Sequence, residues 1–252
     1  MPKELLPLFD RPVIHHLLEE VAAVGIPEAL IVTRPGTEEA LRRYFSADRG
    51  WDQYLATQGK TDLLQPLRDL TNQLRISFST QSPDLPYGTG APILAVQDRL
   101  TSPFVYLYGD DVILERPVGD SLRALVELYE SGNAAAVVGA HRVPRQEISQ
   151  VGSIAYWPDT DWWVCHILEK PAPESAPSLF TPIGRQVLSP CIVPVLVKLQ
   201  ECLPPGRELW MTDALSSLAG SERVLAPHIR GRWLTTGDPL NLLKAGLAFS
   251  RL

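Results

Sequence analysis

Cysteine is scarce in this chain: Cys165, Cys191 and Cys202 are the only three in 252 residues, and none sits at C-x-x-C spacing. An odd, scattered set argues against a disulfide framework or a structural zinc site and fits a reducing compartment. Long hydrophobic runs are missing too, since no stretch approaches the 18 uninterrupted apolar residues of a membrane span. No Lys/Arg-rich run stands out and the net charge is −6, so the electrostatic footprint of a nucleic-acid binder is absent. The opening MPKELLPLFDRP has no basic block followed by an apolar one, as a secretory leader would. These absences predict a cytoplasmic protein with no membrane and no nucleic-acid partner. G-x-S-x-G, H-E-x-x-H and Walker A sequences are missing as well, as are internal repeats and low-complexity tracts.

What is present is ordinary globular material, 45% hydrophobic and 21% charged, at a length suited to one α/β domain. The 23 prolines are spread along the chain and read as turns and element ends. Residues 11–24 place Val13, Ile14, Leu17, Leu18, Val21 and Val24 at helical spacing, with Gly25 as the stop. Apolar strand-like runs follow at 29–33, 75–80, 104–111 and 134–143, with helical stretches at 37–45, 91–100 and 121–131 between them. That alternation predicts a mostly parallel sheet flanked by helices. The second half reads as two strands around a turn near Pro158, Asp159 and Asp161, then a strand at 180–189. Helices near 191–203 and 212–219 and strands in RVLAPHI and GRWLTT complete it. Asp238 and Pro239 start the last helix as N-cap and first helical residue.

Four places can carry chemistry. Tyr108-Gly109-Asp110-Asp111 puts acids at the end of an apolar strand. A strand-end carboxylate there can hold Mg²⁺ beside a nucleotide's phosphates, or the acids simply start a turn. Gln81 precedes L-P-Y-G-T-G at 85–90, where Gly88 and Gly90 either let backbone N–H groups approach a ligand or form an ordinary loop. At Leu168-Glu169-Lys170-Pro171, Lys170 can neutralise a phosphate while Glu169 accepts sugar hydroxyls, or the two form a solvated ion pair. Lys3, in Pro2-Lys3-Glu4, says little alone. His15 and His16 are consecutive on a helix and face different ways, which disfavours joint metal binding.

Their order says more than any one of them. P-K-E-x-L-P-L-x-x-x-P at 2–12, Q…L-P-x-G-T-G at 81–90, G-D-D at 109–111 and E-K-P at 169–171 resemble one family. It is the sugar-nucleotidyltransferases, and within them the bacterial UTP–glucose-1-phosphate uridylyltransferases (UDP-glucose pyrophosphorylases). I-G-R-x-V-L-S at 183–189, E-L-x-M-T-D-A-L at 208–215 and T-G-D-P-L-x-x-L-K-A at 236–245 extend the resemblance to the last helix. Segment 45–74 resembles the helical insertion of the uridylyl branch. The resemblance implies a Rossmann-like mixed, mostly parallel sheet, and transfer of a uridylyl group from UTP to glucose 1-phosphate. On it Asp110 holds Mg²⁺, Lys3 meets the phosphates, and Gln81, Gly88 and Gly90 read the uracil. Glu169 takes the sugar hydroxyls, Lys170 the sugar phosphate, and Gly152 lets backbone approach the sugar. A homo-oligomer is also implied.

Two departures follow. The family places a strand and a G-x-G-T-R loop ahead of P-K-E, whereas this sequence starts at P-K-E. The expectation is a single domain, 1–252, truncated at its N-terminus relative to the family, with strand edges and apolar faces left unpaired. Thr235 stands where the family has its second metal-binding Asp. These departures keep open a non-catalytic relative that binds a sugar phosphate or nucleotide, and a thymidylyl or adenylyl transferase is a further alternative.

Overall fold

The computed structural model describes residues 2–46 and 49–251. After a 3₁₀ turn, Lys3–Leu5, a tight hairpin forms from β1 (Pro7–Leu8) and β2 (Arg11–Pro12). Helix α1 (Val13–Ala23) buries Val13, Ile14, Leu17, Leu18 and Val21, the face set by their spacing. Gly25, at φ 81°, turns the chain into β3 (Glu28–Thr33). Helices α2 (Glu38–Phe45), α3 (Arg49–Thr57) and α4 (Gln65–Gln73) then lead to β4 (Arg75–Thr80), which runs parallel to β3. The helical segment expected over 45–74 is thus two helices joined by a 3₁₀ turn, Thr61–Leu64, and its residues 47 and 48 lie outside the described residues.

The stretch expected as a helix at 91–100 is only a short α5 (Ala91–Leu94) followed by a 3₁₀ turn. The single strand expected at 104–111 is also broken. It becomes β5 (Phe104–Leu107) and β6 (Asp111–Leu114), with a turn at 108–110 between them. Helix α6 (Asp120–Glu130) and β7 (Ala136–Arg142) follow, then the hairpin of β8 (Gly152–Tyr156) and β9 (Val164–Glu169). The rest comprises β10 (Phe180–Leu188), α7 (Ile192–Glu201), α8 (Met211–Ala219), β11 (Val224–Leu225), β12 (Arg232–Thr235) and α9 (Pro239–Phe249).

The largest sheet has the order β11-β7-β10-β5, while β3-β4, β6-β12 and β8-β9 form separate pairs. This corrects the expectation of one mostly parallel sheet. Among the described strands only β3-β4 and β7-β11 pair in parallel; β10 is antiparallel to both β5 and β7. The reason is topological. Crossover helices do give β5, β7 and β11 a common direction, but β10, returning from the β8-β9 hairpin, enters between two of them. Among the described residues β3 pairs only with β4, and β5 only with β10.

Two main apolar clusters hold these pieces. One joins Val138, Leu188, Ile192, Leu196, Met211 and Leu215, and the other packs α1 with Leu8, Leu41, Leu74, Val112 and Ala245. No helix among the described residues is long and apolar enough to cross a membrane.

Candidate functional site

Asp110 stands at the meeting of three turns. The Tyr108 N–H bonds the Gly184 carbonyl and the Asp111 N–H bonds that of Tyr108, which folds the chain sharply between β5 and β6. From the N-terminal turn, Lys3 places its ammonium 2.5 Å from Asp110 Oδ2. From the turn after β12, the Thr236 N–H and hydroxyl both donate to the Asp110 carbonyl, at 2.7 and 3.0 Å. Gly237 lies so close that a Cβ there would be 3.1 Å from Asp110 Oδ2. The Thr235 hydroxyl accepts the Gly237 N–H at 3.3 Å. Lys3 and Asp110 remain partly exposed, at 40% and 26%, so the pair is open to a ligand.

Asp111 does something different. It is buried and accepts the Gly184 N–H at 2.9 Å, so it is held inside the sheet and away from the Asp110 carboxylate's open side. Burial and the neighbouring Asp110 charge push its carboxyl up to about 6. A carboxyl raised in this way binds its proton more tightly folded than unfolded. Its stabilising contribution is therefore complete below about pH 4 and is lost as the pH rises through about 6. Asp111→Asn is expected to gain about 1–2 kcal/mol relative to the parent between pH 5 and pH 8. Denaturant unfolding of both proteins at the two pH values checks this; a constant difference would refute it.

The loop at 85–90 is built into the protein rather than standing free. Gly88, at φ 134°, packs so tightly that a Cβ would lie 2.4 Å from the Leu209 carbonyl oxygen. Leu209 N–H bonds the Tyr87 carbonyl, Gly90 N–H bonds that of Leu209, and Met211 N–H bonds the Thr89 hydroxyl. The Gly90 N–H therefore already has a protein acceptor. Gly88→Ala meets both backbone strain and an immovable backbone atom, and is expected to destabilise by about 3 kcal/mol, the upper end of overpacking costs. A urea midpoint unchanged from the parent would contradict this. Gln81 sits at the end of β4, its N–H on the Thr33 carbonyl; among the described residues no hydrogen bond joins it to the loop.

The third group surrounds Glu169. Thr212, in the first turn of α8, donates to Glu169 Oε2 at 2.8 Å. Gly152 faces both: a Cβ there would be 3.1 Å from Thr212 Cγ2 and 3.2 Å from Glu169 Oε2. Burial raises the Glu169 carboxyl above its ordinary range, and the Thr212 hydrogen bond opposes that shift. Lys170 follows at φ 46°, an uncommon backbone state for a lysine, with its N–H on the Val151 carbonyl. Its exposed ammonium is 5.1 Å from the centre of the Trp210 ring.

The structure thus brings Lys3 to Asp110, and Gly152 to Glu169 beside Lys170. Among the described residues no hydrogen bond joins the two groups directly. Gln186 donates to the Tyr108 hydroxyl and the Tyr106 hydroxyl donates to the Thr89 carbonyl. Thr212 escaped the sequence reading as a site residue, although it lies inside the M-T-D run that the resemblance used. Asp238 is the cap of α9, accepting the Leu240 and Asn241 N–H groups, as its position predicts.

Comparisons with known proteins bear on the family and the fold. The profile of the nucleotidyl transferase family matches residues 1–250. A UTP–glucose-1-phosphate uridylyltransferase of Streptococcus pyogenes serotype M3 is 32% identical, over 99% of this chain and 83% of its own length. The Bacillus subtilis protein of the same name is 31% identical, over 99% and 84%. Among solved structures, a UDP-glucose pyrophosphorylase complexed with UDP-glucose superposes with a TM-score of 0.85 at 25% identity, over 100% of this chain and 91% of that one. A UTP-bound enzyme of the same kind from Acinetobacter baumannii gives 0.86 at 25%, over 99% and 86%. With nearly every residue matched by the family profile, the chain belongs to the nucleotidyl transferase family.

Proposed function

We propose that this protein transfers a uridylyl group from UTP to glucose 1-phosphate, giving UDP-glucose and pyrophosphate. The observation that carries the reading is the group of Gly152, Glu169 and Thr212 beside Lys170, a hydroxyl acceptor next to a cation, within a fold close to that of relatives with this activity. An oxygen of the sugar phosphate attacks the α-phosphorus of UTP, a new P–O bond forms, and the bond to pyrophosphate breaks. Both reactants are polyanions, so positioning and charge neutralisation supply most of the catalysis.

Each residue then has one task. Glu169 accepts sugar hydroxyls, and the bare backbone at Gly152 leaves the sugar room. Lys170 faces the sugar phosphate and Lys3 the phosphates being exchanged. Gln81 and the loop containing Gly88 and Gly90 border the uracil. The donor set at Asp110 suits Mg²⁺, which is commonly held by one or two carboxylates with substrate phosphate oxygens filling the other positions. Asp110 offers that one carboxylate, partly exposed, with no side chain on Gly237 to obstruct it. When bound, Mg²⁺ supplies neutralisation of phosphate charge.

Pyrophosphate release with glucose 1-phosphate and UTP, dTTP or ATP in turn tests the reading. Release with UTP, and UDP-glucose by mass, is the expected result; release with dTTP or ATP alone would move the assignment to another nucleotide. A second reading, a non-catalytic binder of sugar phosphate, is favoured by Thr235 beside Asp110 and by the Lys3 ammonium resting on that carboxylate. Thermal stabilisation by glucose 1-phosphate without any pyrophosphate release would establish it in place of the first.

A further inference from the structure

Around Trp210, which Lys170 approaches, the structure holds a second cation that the sequence motifs leave out. Arg207 and Lys170 come from segments far apart in the chain, yet both lie over the Trp210 ring, with Arg207 Cζ 5.7 Å and Lys170 Nζ 5.1 Å from its centre. Trp210 is half-buried and fixed, because its indole N–H donates to Glu208 Oε2 at 2.9 Å. An aromatic ring attracts cations, and Trp210 has both within about 6 Å of its centre. Three carboxylates lie nearby, and each has a donor. Glu169 accepts from Thr212, Glu208 from the indole, and Asp213 reaches Arg207 only at 3.5 Å, the long limit of a hydrogen bond. Arg207 is half exposed, and its guanidinium has more donors than that one long contact uses.

We propose that Arg207 is a second phosphate-binding residue, seated beside Lys170 by Trp210, and that the two cations grip a phosphate ester from either side. This rests on the proposed sugar-phosphate site and adds to it a residue outside the E-K-P run. The planar fork of Arg207 suits two phosphate oxygens at once, whereas Lys170 acts as a point charge. The position of the pair also orders specificity: with Glu169 on the hydroxyls and two cations on the ester, a neutral sugar forfeits both charge-assisted contacts.

Calorimetric titration of the full chain with glucose 1-phosphate, with inorganic phosphate and with glucose tests this, using the parent, Arg207→Gln, Arg207→Lys and Trp210→Phe. Arg207→Gln is expected to weaken glucose 1-phosphate and inorganic phosphate about tenfold each, with glucose binding and melting temperature unchanged. Arg207→Lys should recover part of the loss, and Trp210→Phe should fall between the parent and Arg207→Gln. Unchanged glucose 1-phosphate affinity in Arg207→Gln overturns the proposal while the sugar-phosphate reading stands. Arg207-dependent binding of inorganic phosphate without binding of glucose 1-phosphate leaves the cation pair standing and removes the sugar-phosphate reading. A parent that binds neither phosphate overturns both.

Discussion

Replacing Asp110 by Asn is expected to lower the turnover number for UDP-glucose formation by about 10²–10³-fold, the range seen when a charge-stabilising group is removed from a transition state. The substitution is nearly isosteric. The Thr236 donors go to the backbone carbonyl of Asp110, not its side chain, so the turn that positions the residue stays intact. What disappears is the charge that faces Lys3. Lys3→Met is expected to lose rate as well, because the other half of the pair is removed. The Mg²⁺ concentration for half-maximal rate should rise in Asp110→Asn and change far less in Lys3→Met. Steady-state pyrophosphate release over a Mg²⁺ series separates the two effects. Activity within fivefold of the parent in Asp110→Asn would take the carboxylate out of the chemistry.

The largest stability effect is expected at Arg185 and Glu20. Arg185 is fully buried, and its guanidinium binds both oxygens of Glu20 at 2.8 Å while also reaching the Gly184 and Asp111 carbonyls. The pair ties α1 to β10 and to the start of β6, behind the Asp110 turn. Breaking a buried pair from one side strands the other charge, so Glu20→Ala should cost about 3–5 kcal/mol. For a chain of this size that corresponds to a melting temperature lower by about 10 °C. Replacing both together, Glu20→Leu with Arg185→Met, should recover most of the loss, since no charge is left behind. Urea unfolding of the single and double variants measures this. A Glu20→Ala protein within 1 kcal/mol of the parent would mean that water reaches Arg185.

The contrast between these two places shows what the sequence could express. Local signals were plain: the spacing of Val13, Ile14, Leu17, Leu18 and Val21 gives α1, and Asp238-Pro239 gives the start of α9. The common direction of β5, β7 and β11 was legible as well, because crossover helices impose it, but the antiparallel run of β10 was not. Strand neighbours were not, since the place of β10 between β5 and β7 depends on a hairpin that carries the chain away and back. The resemblance singled out Asp110 of the Asp110-Asp111 doublet, while the burial of Asp111 and its hold on the Gly184 N–H were visible only in the structure. Gly88 reads either as backbone open to a ligand or as part of an ordinary loop, and its missing side chain makes room for Leu209. Lys3 acquired meaning from the resemblance alone. Thr212 and Trp210 carried no readable role, because Glu169 and Lys170, which they meet, lie about 40 residues earlier in the chain, and Arg207 gains one only by sharing the Trp210 ring with Lys170.

The contacts that fix the site also impose a schedule on synthesis. Lys3 and Asp110 are 107 residues apart, Thr236 and Asp110 126, Thr89 and Met211 122, and Glu20 and Arg185 165. Each closes a loop of more than half the length of a small domain, so none can form early during translation. Helix α1 leaves the ribosome with an unpaired glutamate on its inner face and waits about 8 to 33 s for Arg185, at ordinary elongation rates of ~5–20 residues per second. During that wait its apolar side gains Leu41, Leu74 and Val112 in turn, while the buried ion pair stays open. A nascent chain stalled before Arg185 should therefore be open to proteases and recruit chaperones, and one released after Thr236 should not.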